Sequence, residues 1–160
     1  KLQMIKLAEF TYEEVISKIN TYSGRICFKV DENQYFVKMN SQRYFLFRKQ
    51  RSCYVCGLYG QVFFLEKLIH DKYPHFNLYS KENDEYVLMT KDHIIPKSKG
   101  GKNNLSNYNT CCSICNFLKD NCEIDREKIL ELRTIWNENI NKIEKKDLMD
   151  IIRKQRENVI

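Results

Sequence analysis

Hydrophobic and polar positions change period several times along this chain, and the changes mark its elements. Thr11-Tyr12-Glu13-Glu14 has the form of a capping box, with Thr11 facing the N3 amide and Glu14 reaching back. Val15, Ile16 and Ile19 then predict a helix over residues 12–20 with one apolar face. Alternation takes over in residues 25–30 and 34–39, and Asp31-Glu32-Asn33 between them predicts a hairpin. A third alternating run, residues 43–48, predicts another strand, so residues 1–50 read as an αβββ unit with a small core of its own.

Further along, residues 61–65 predict a strand, and residues 66–70 fit either its end or a helical turn. Pro74 biases its neighbour away from helix, so residues 73–77 are expected to be irregular. Residues 85–90 predict a strand feeding directly into Asp92-His93, Pro96 ends it, and residues 98–104 predict a flexible loop. Helices are expected from Ser113 through Lys119, from an Asp125 cap through Trp136, and from Lys145 to about Arg153 with Leu148, Ile151 and Ile152 on one stripe. No period of about 20–50 residues recurs, which excludes a repeat architecture.

Composition adds limits. A chain of 160 residues, 42% hydrophobic, with two prolines and five glycines, can bury a core without staples. No apolar run approaches the roughly 20 residues that span a bilayer, and the charged stretch from Lys1 to Lys6 has no signal-peptide form. The expectation is a soluble, cytoplasmic protein with no membrane partner. A net charge of +6 and a pI near 8.9 permit a nucleic-acid partner, though a solvated basic surface explains them equally well.

Four of the seven cysteines fall into Cys53-Tyr54-Val55-Cys56 and Cys112-Ser113-Ile114-Cys115. Without an export signal, two such pairs read as a tetrahedral thiolate site for structural Zn²⁺. A redox-active pair is the alternative, but it lacks the βαβ context that chemistry uses. Cys111 stands beside Cys112 without a partner three positions on, and Cys27 and Cys122 read as small buried hydrophobes.

Between the two thiol pairs lies the chemistry-bearing segment: Asp92-His93, Pro96, Ser98, Gly100-Gly101, Asn107, and then Asn116 directly after Cys115. A phosphodiester-cleaving site needs a hard oxygen ligand for a divalent cation, a base neutral near pH 7, and a frame that holds both. Asp92, His93 and the carboxamides of Asn107 and Asn116 offer those parts. Asn116 could instead cap its helix, and His93 alone would read as a surface histidine.

These residues, with Cys112-x-x-Cys115-Asn116-x-x-Lys119, resemble the HNH (ββα-metal) nucleases, in the subset whose finger is held by a four-cysteine zinc. The resemblance runs from about Arg51 to Asp125, and residues 74–79 and 87–90 look like stretches common in phage-encoded members. The motif's final position is Asn116 rather than His. The resemblance implies an α+β fold with a ββα-metal finger stapled by zinc in a nuclease core at 51–125; residues 1–50, an N-terminal α+β extension read as a DNA-contacting unit, and the C-terminal helices at 126–160, expected to pack on the core, lie outside it. It implies His93 as general base, Asp92 and Asn116 on one Mg²⁺ or Mn²⁺, 5′-phosphate products, and Asn107 bonding backbone across the loop so that His93 keeps its orientation. DNA is the expected substrate, double-stranded, in a bacterial or phage-infected cell, with nicks as the product or, through a homodimer or two successive nicks, double-strand breaks.

Phosphate contacts are expected from Lys97, Lys99, Lys102 and Lys119, and from Arg43, Arg48 and Arg51, where aromatics alternate with cations. Solvated loop charge and core aromatics account for the same pattern. A zinc-ribbon DNA-binding or packaging accessory protein is the alternative function. Its discriminating feature is degeneracy in the set Asp92, His93, Asn107 and Asn116, which is intact.

Overall fold

The computed structural model describes residues 3–158, so Lys1 and Leu2 of the N-terminal stretch lie outside the described residues. Its order is β1 (Met4–Thr11), α1 (Tyr12–Ile16), β2 (Arg25–Val30), β3 (Asn33–Lys38), α2 (Gln42–Lys49), β4 (Val62–Leu68), β5 (His75–Glu82), β6 (Glu85–His93), β7 (Tyr108–Cys112), α3 (Ser113–Lys119), α4 (Arg126–Asn139) and α5 (Lys145–Glu157). This is a mixed α+β chain. Five strands pair antiparallel in the order β1-β4-β5-β6-β7, and β2 and β3 form a separate hairpin.

The first strand escapes a period-two reading because it contains a bulge. Its register shifts between Lys6 and Ala8, so the half-buried positions run Ile5, Leu7, Ala8, Phe10 and change phase midway. The Thr11–Glu14 capping box forms in both directions, at 3.2 Å to the Thr11 hydroxyl and 2.9 Å to the Glu14 carboxylate. The helix it starts nevertheless ends at Ile16, because Lys18 and Ile19 donate to carbonyls three residues back and tighten the chain out of α geometry.

Residues 43–48 are not a strand. They lie in α2, where the Ser41 hydroxyl accepts the Arg43 amide and Tyr44 and Phe47, one turn apart, are buried. A run with aliphatic or aromatic side chains at every interior position carries no clear period, so packing decides its form. Residues 75–77 are not irregular either: β5 starts immediately after Pro74, with His75 opposite Glu66. The extended bias that proline imposes serves a strand as well as a loop. The ambiguous residues 66–68 continue β4, since the buried Glu66 carboxylate is satisfied by Asn77 and Tyr79.

Helices α4 and α5 extend beyond their expected ends by a turn or so, to Asn139 and Glu157; Asp125 caps α4 at 2.8 Å, and Ile151 stays exposed while Leu148 and Ile152 are buried. One apolar cluster runs from Val15 and Phe28 through Phe47, Phe63 and Phe76 to Met89, Leu118, Leu132 and Ile152. The N-terminal segment therefore keeps no core to itself, and β1 pairs with β4. Among the described residues no helix is long and apolar enough to cross a membrane.

Candidate metal centres and catalytic recess

Two centres flank α3. The first is the cysteine cluster. Cys53 and Cys56 lie in a tight turn between α2 and β4, closed by the Gly57 amide on the Cys53 carbonyl at 3.0 Å, with Gly57 at φ +76°. That turn is fastened to β7 by the Tyr54 amide donating to the Thr110 carbonyl at 2.9 Å. Cys112 ends β7 and caps α3, its Sγ accepting the Cys115 amide at 3.4 Å. The four sulfurs lie within 4.8 Å of one another. A Zn²⁺ with sulfurs at about 2.3 Å in a tetrahedron sets them roughly 3.8 Å apart, and the Cys56–Cys112 separation is 3.9 Å. Soft donors at that spacing fit zinc.

Hydrogen bonds from neighbouring thiols, Cys111 foremost, draw the Cys53 thiol well below its ordinary range, and one from Cys112 brings Cys56 to about 7. Bonding to Cys53 and burial push the Cys111 thiol up. The described cysteines are all free of disulfides.

The second centre is an open recess of about 400 Å³ whose lining includes Asp92, His93, Lys97, Asn116, Lys119 and Asp120. Strand β6 delivers Asp92 and His93 opposite Asn109 and Tyr108 of β7, and α3 brings Asn116 and Lys119 over them. The Lys119 ammonium donates to Asp92 Oδ2 at 2.6 Å and to the His93 carbonyl at 3.2 Å; both side chains of the pair are about nine-tenths buried, at 9% and 12% exposure. Asn116 Nδ2 donates to Thr90 Oγ1 at 2.9 Å, and Thr90 in turn donates to the Cys111 carbonyl at 2.7 Å. That chain fixes the amide, and among the described residues neither Asn116 Oδ1 nor Asp92 Oδ1 accepts a hydrogen bond. Hard oxygen donors of this kind fit Mg²⁺ or Mn²⁺.

Residues 96–107 are not loose but tied. Asn107, buried, accepts the Ile95 amide at 2.9 Å and donates to the carbonyls of Ile95 at 3.1 Å and Lys102 at 2.9 Å. Gly101 packs so tightly that a Cβ there would lie 1.7 Å from the Ile95 carbonyl oxygen, and Gly100 turns at φ +84°. The His93 ring stands edge-on to Tyr108 with centroids 4.9 Å apart, and its Nε2 lies 2.9 Å from Asn103 Oδ1.

The basic residues separate into groups. Lys97 lines the recess, and Lys99 and Lys102 are exposed on the same loop, Lys99 pairing with Glu123 at 3.0 Å. Lys119 is committed to Asp92. Arg43 donates to the Phe76 carbonyl, and Arg51 to that of Gly60 while lying against the rings of Tyr12 and Tyr59. Arg48 is exposed beside Phe45, on α2, and does not line the recess. Sequence reading passed over Thr90, Asn103 and Asp120. Asp120 caps α3 at φ +52°, a conformation few side chains adopt, and pairs with Arg156 at 3.6 Å. A larger hollow of about 590 Å³ beside Arg133 and Trp136 of α4 contains neither a histidine nor a thiol.

A carboxylate, an imidazole and a carboxamide meet in one recess beside the cysteine cluster. Residues 80–127, which contain that recess and the second cysteine pair, match the model of the HNH endonuclease family. At the level of the family, that match points to nuclease activity. No curated protein and no solved structure matches the chain.

Proposed function

We propose that the protein is a DNA endonuclease that hydrolyses phosphodiester bonds with one Mg²⁺ or Mn²⁺ held by Asp92 and Asn116, leaving 5′-phosphate ends. The observation that carries this reading is the meeting of Asp92, His93 and Asn116 in one recess inside the matched segment. In it, β6, β7 and α3 act as a ββα-metal finger, and Cys53, Cys56, Cys112 and Cys115 hold a structural Zn²⁺. His93 takes a proton from water, and the resulting hydroxide attacks phosphorus in line with the departing 3′ oxygen. Bound at Asp92 and Asn116, the cation supplies stabilisation of the charge gathering on the phosphoryl oxygens and that leaving oxygen. Lys119 holds Asp92 in place, and Asn107 braces the turn that follows His93. Lys97 and Lys102 neutralise flanking phosphates, so affinity weakens with salt.

The test is incubation of supercoiled duplex, single-stranded DNA and RNA with Mg²⁺, with Mn²⁺ and with EDTA, using wild type and His93→Ala. Expected is metal-dependent cleavage of duplex DNA that the variant loses while retaining zinc and DNA binding. Undiminished cleavage by the variant removes His93 as the base. Binding of duplex without any cleavage by the wild type identifies a non-cleaving accessory protein instead, and cleavage confined to RNA changes the substrate.

A further inference from the structure

The histidine that serves as base has two ring nitrogens, and only one can carry the lone pair that accepts a proton from water. His93 Nε2 lies 2.9 Å from the side-chain oxygen of Asn103, its one hydrogen-bond partner among the described residues. An amide oxygen cannot donate, so this contact requires the proton on Nε2 and, in the neutral ring, leaves the lone pair on Nδ1, the nitrogen with no hydrogen-bond partner among the described residues. The same contact, with the Tyr108 ring against the imidazole, restricts rotation about χ2.

Asn103 is itself held in place. Its neighbour Lys102 presents its carbonyl to Asn107 Nδ2 at 2.9 Å, while the other atoms of that carboxamide grip Ile95 at the end of the β6 turn. Asn107 therefore ties the turn that follows β6 to the residue preceding Asn103, and none of its side-chain hydrogen bonds goes to the imidazole. Its influence reaches His93 in two steps.

We infer that Asn103 is a positioning residue that sets the tautomer and orientation of His93, with Asn107 fixing the backbone from which it reaches. The inference rests on the reading of His93 as base. The charged groups that line the recess with His93, Asp92 on β6, Lys97 on the loop, Lys119 on α3 and Asp120 at its end, are the same in every variant below, so differences report on position 103.

Two measurements test it. The first needs no activity: ¹⁵N-resolved NMR of the imidazole nitrogens in the wild-type protein should show the Nε2–H tautomer, and Asn103→Ala should show a mixture of tautomers. A wild-type Nδ1–H tautomer overturns the inference whether or not the protein proves to be a nuclease. The second is kinetic. Loss of a partner that orients a metal-bound histidine costs about 10–100-fold, and Asn103→Ala, which removes the same kind of orienting bond from a base, should lower kcat by about that factor with KM nearly unchanged. Asn103→Asp keeps an acceptor and should recover most of kcat and the single tautomer. Wild-type kcat in Asn103→Ala overturns the inference, as does equal loss in both variants with a lowered melting temperature, which is the signature of a loop brace alone.

Discussion

Asn107 offers the sharpest test of how the recess is held together. Its buried carboxamide makes three hydrogen bonds, at 2.9, 3.1 and 2.9 Å, all to backbone. Each such bond contributes about 0.5–1.5 kcal/mol net, so Asn107→Ala should cost about 2–4 kcal/mol, or roughly 5–15 °C in melting temperature for a domain of this size. Asn107→Asp discriminates further. It is isosteric, yet it sets a carboxylate oxygen against the carbonyls of Ile95 and Lys102 where Nδ2 donated, so at pH 7 it should be less stable than the alanine variant. Protonation restores one donor. The folded variant then binds that proton more tightly than the unfolded chain, its folded pKa is raised, and stability regained at acid pH is lost as pH rises through the carboxyl range. Urea unfolding followed by circular dichroism at pH 4.5 and pH 7 measures all of this. An alanine variant within about 0.5 kcal/mol of wild type, or an aspartate variant no weaker than alanine at pH 7, would refute the reasoning.

The remaining predictions concern the two centres and the sheet. Cys115→Ser, or treatment with a strong zinc chelator, should release a single zinc and abolish cooperative unfolding, because structural zinc is coupled to folding; a folded, zinc-free variant would exclude the metal's structural role. Lys119→Met strands the Asp92 carboxylate in a site where both side chains are about nine-tenths buried, which should cost about 3–5 kcal/mol in urea unfolding, and added Mg²⁺ should restore part of it. A variant as stable as wild type and indifferent to Mg²⁺ would show that Asp92 needs no cation beside it. His75 is held below its ordinary pKa by burial and by the nearby Arg43 charge. The folded state thus binds the proton less tightly than the unfolded chain, and stability present above about pH 6.5 is lost on acidification below it. Melting temperatures of wild type and His75→Gln between pH 7.5 and pH 5 should converge as pH falls, and parallel curves would assign the acid sensitivity elsewhere.

Much of the local structure was legible because it rests on neighbours in sequence. The Thr11 capping box, the Asp125 cap, the β2–β3 hairpin and the strand leading into Asp92-His93 each depend on residues a few positions apart. The spacing of Cys53, Cys56, Cys112 and Cys115 likewise announced one cluster, since soft thiolates in pairs have few other uses in a chain of this kind. What tertiary structure decided was the fate of residues whose period was ambiguous or whose partners lie far away. Residues 43–48 became helix because that shape buries Tyr44 and Phe47 in the shared core, and β1 emerged because β4 offered an open edge and a bulge absorbed its phase slip.

At the recess the division is the same. The residue types Asp92, His93, Asn107 and Asn116 could be read from order and chemistry, whereas their partners could not. Lys119 stands 27 positions from Asp92 and Asn116 stands 26 from Thr90, distances at which sequence carries no geometric signal. Only the folded chain brings that ammonium onto the carboxylate and turns a residue expected to meet phosphate into one that anchors Asp92. The physical reason is that sequence prescribes which groups need partners, while the packing of α3 on β6 and β7 prescribes which partners they find.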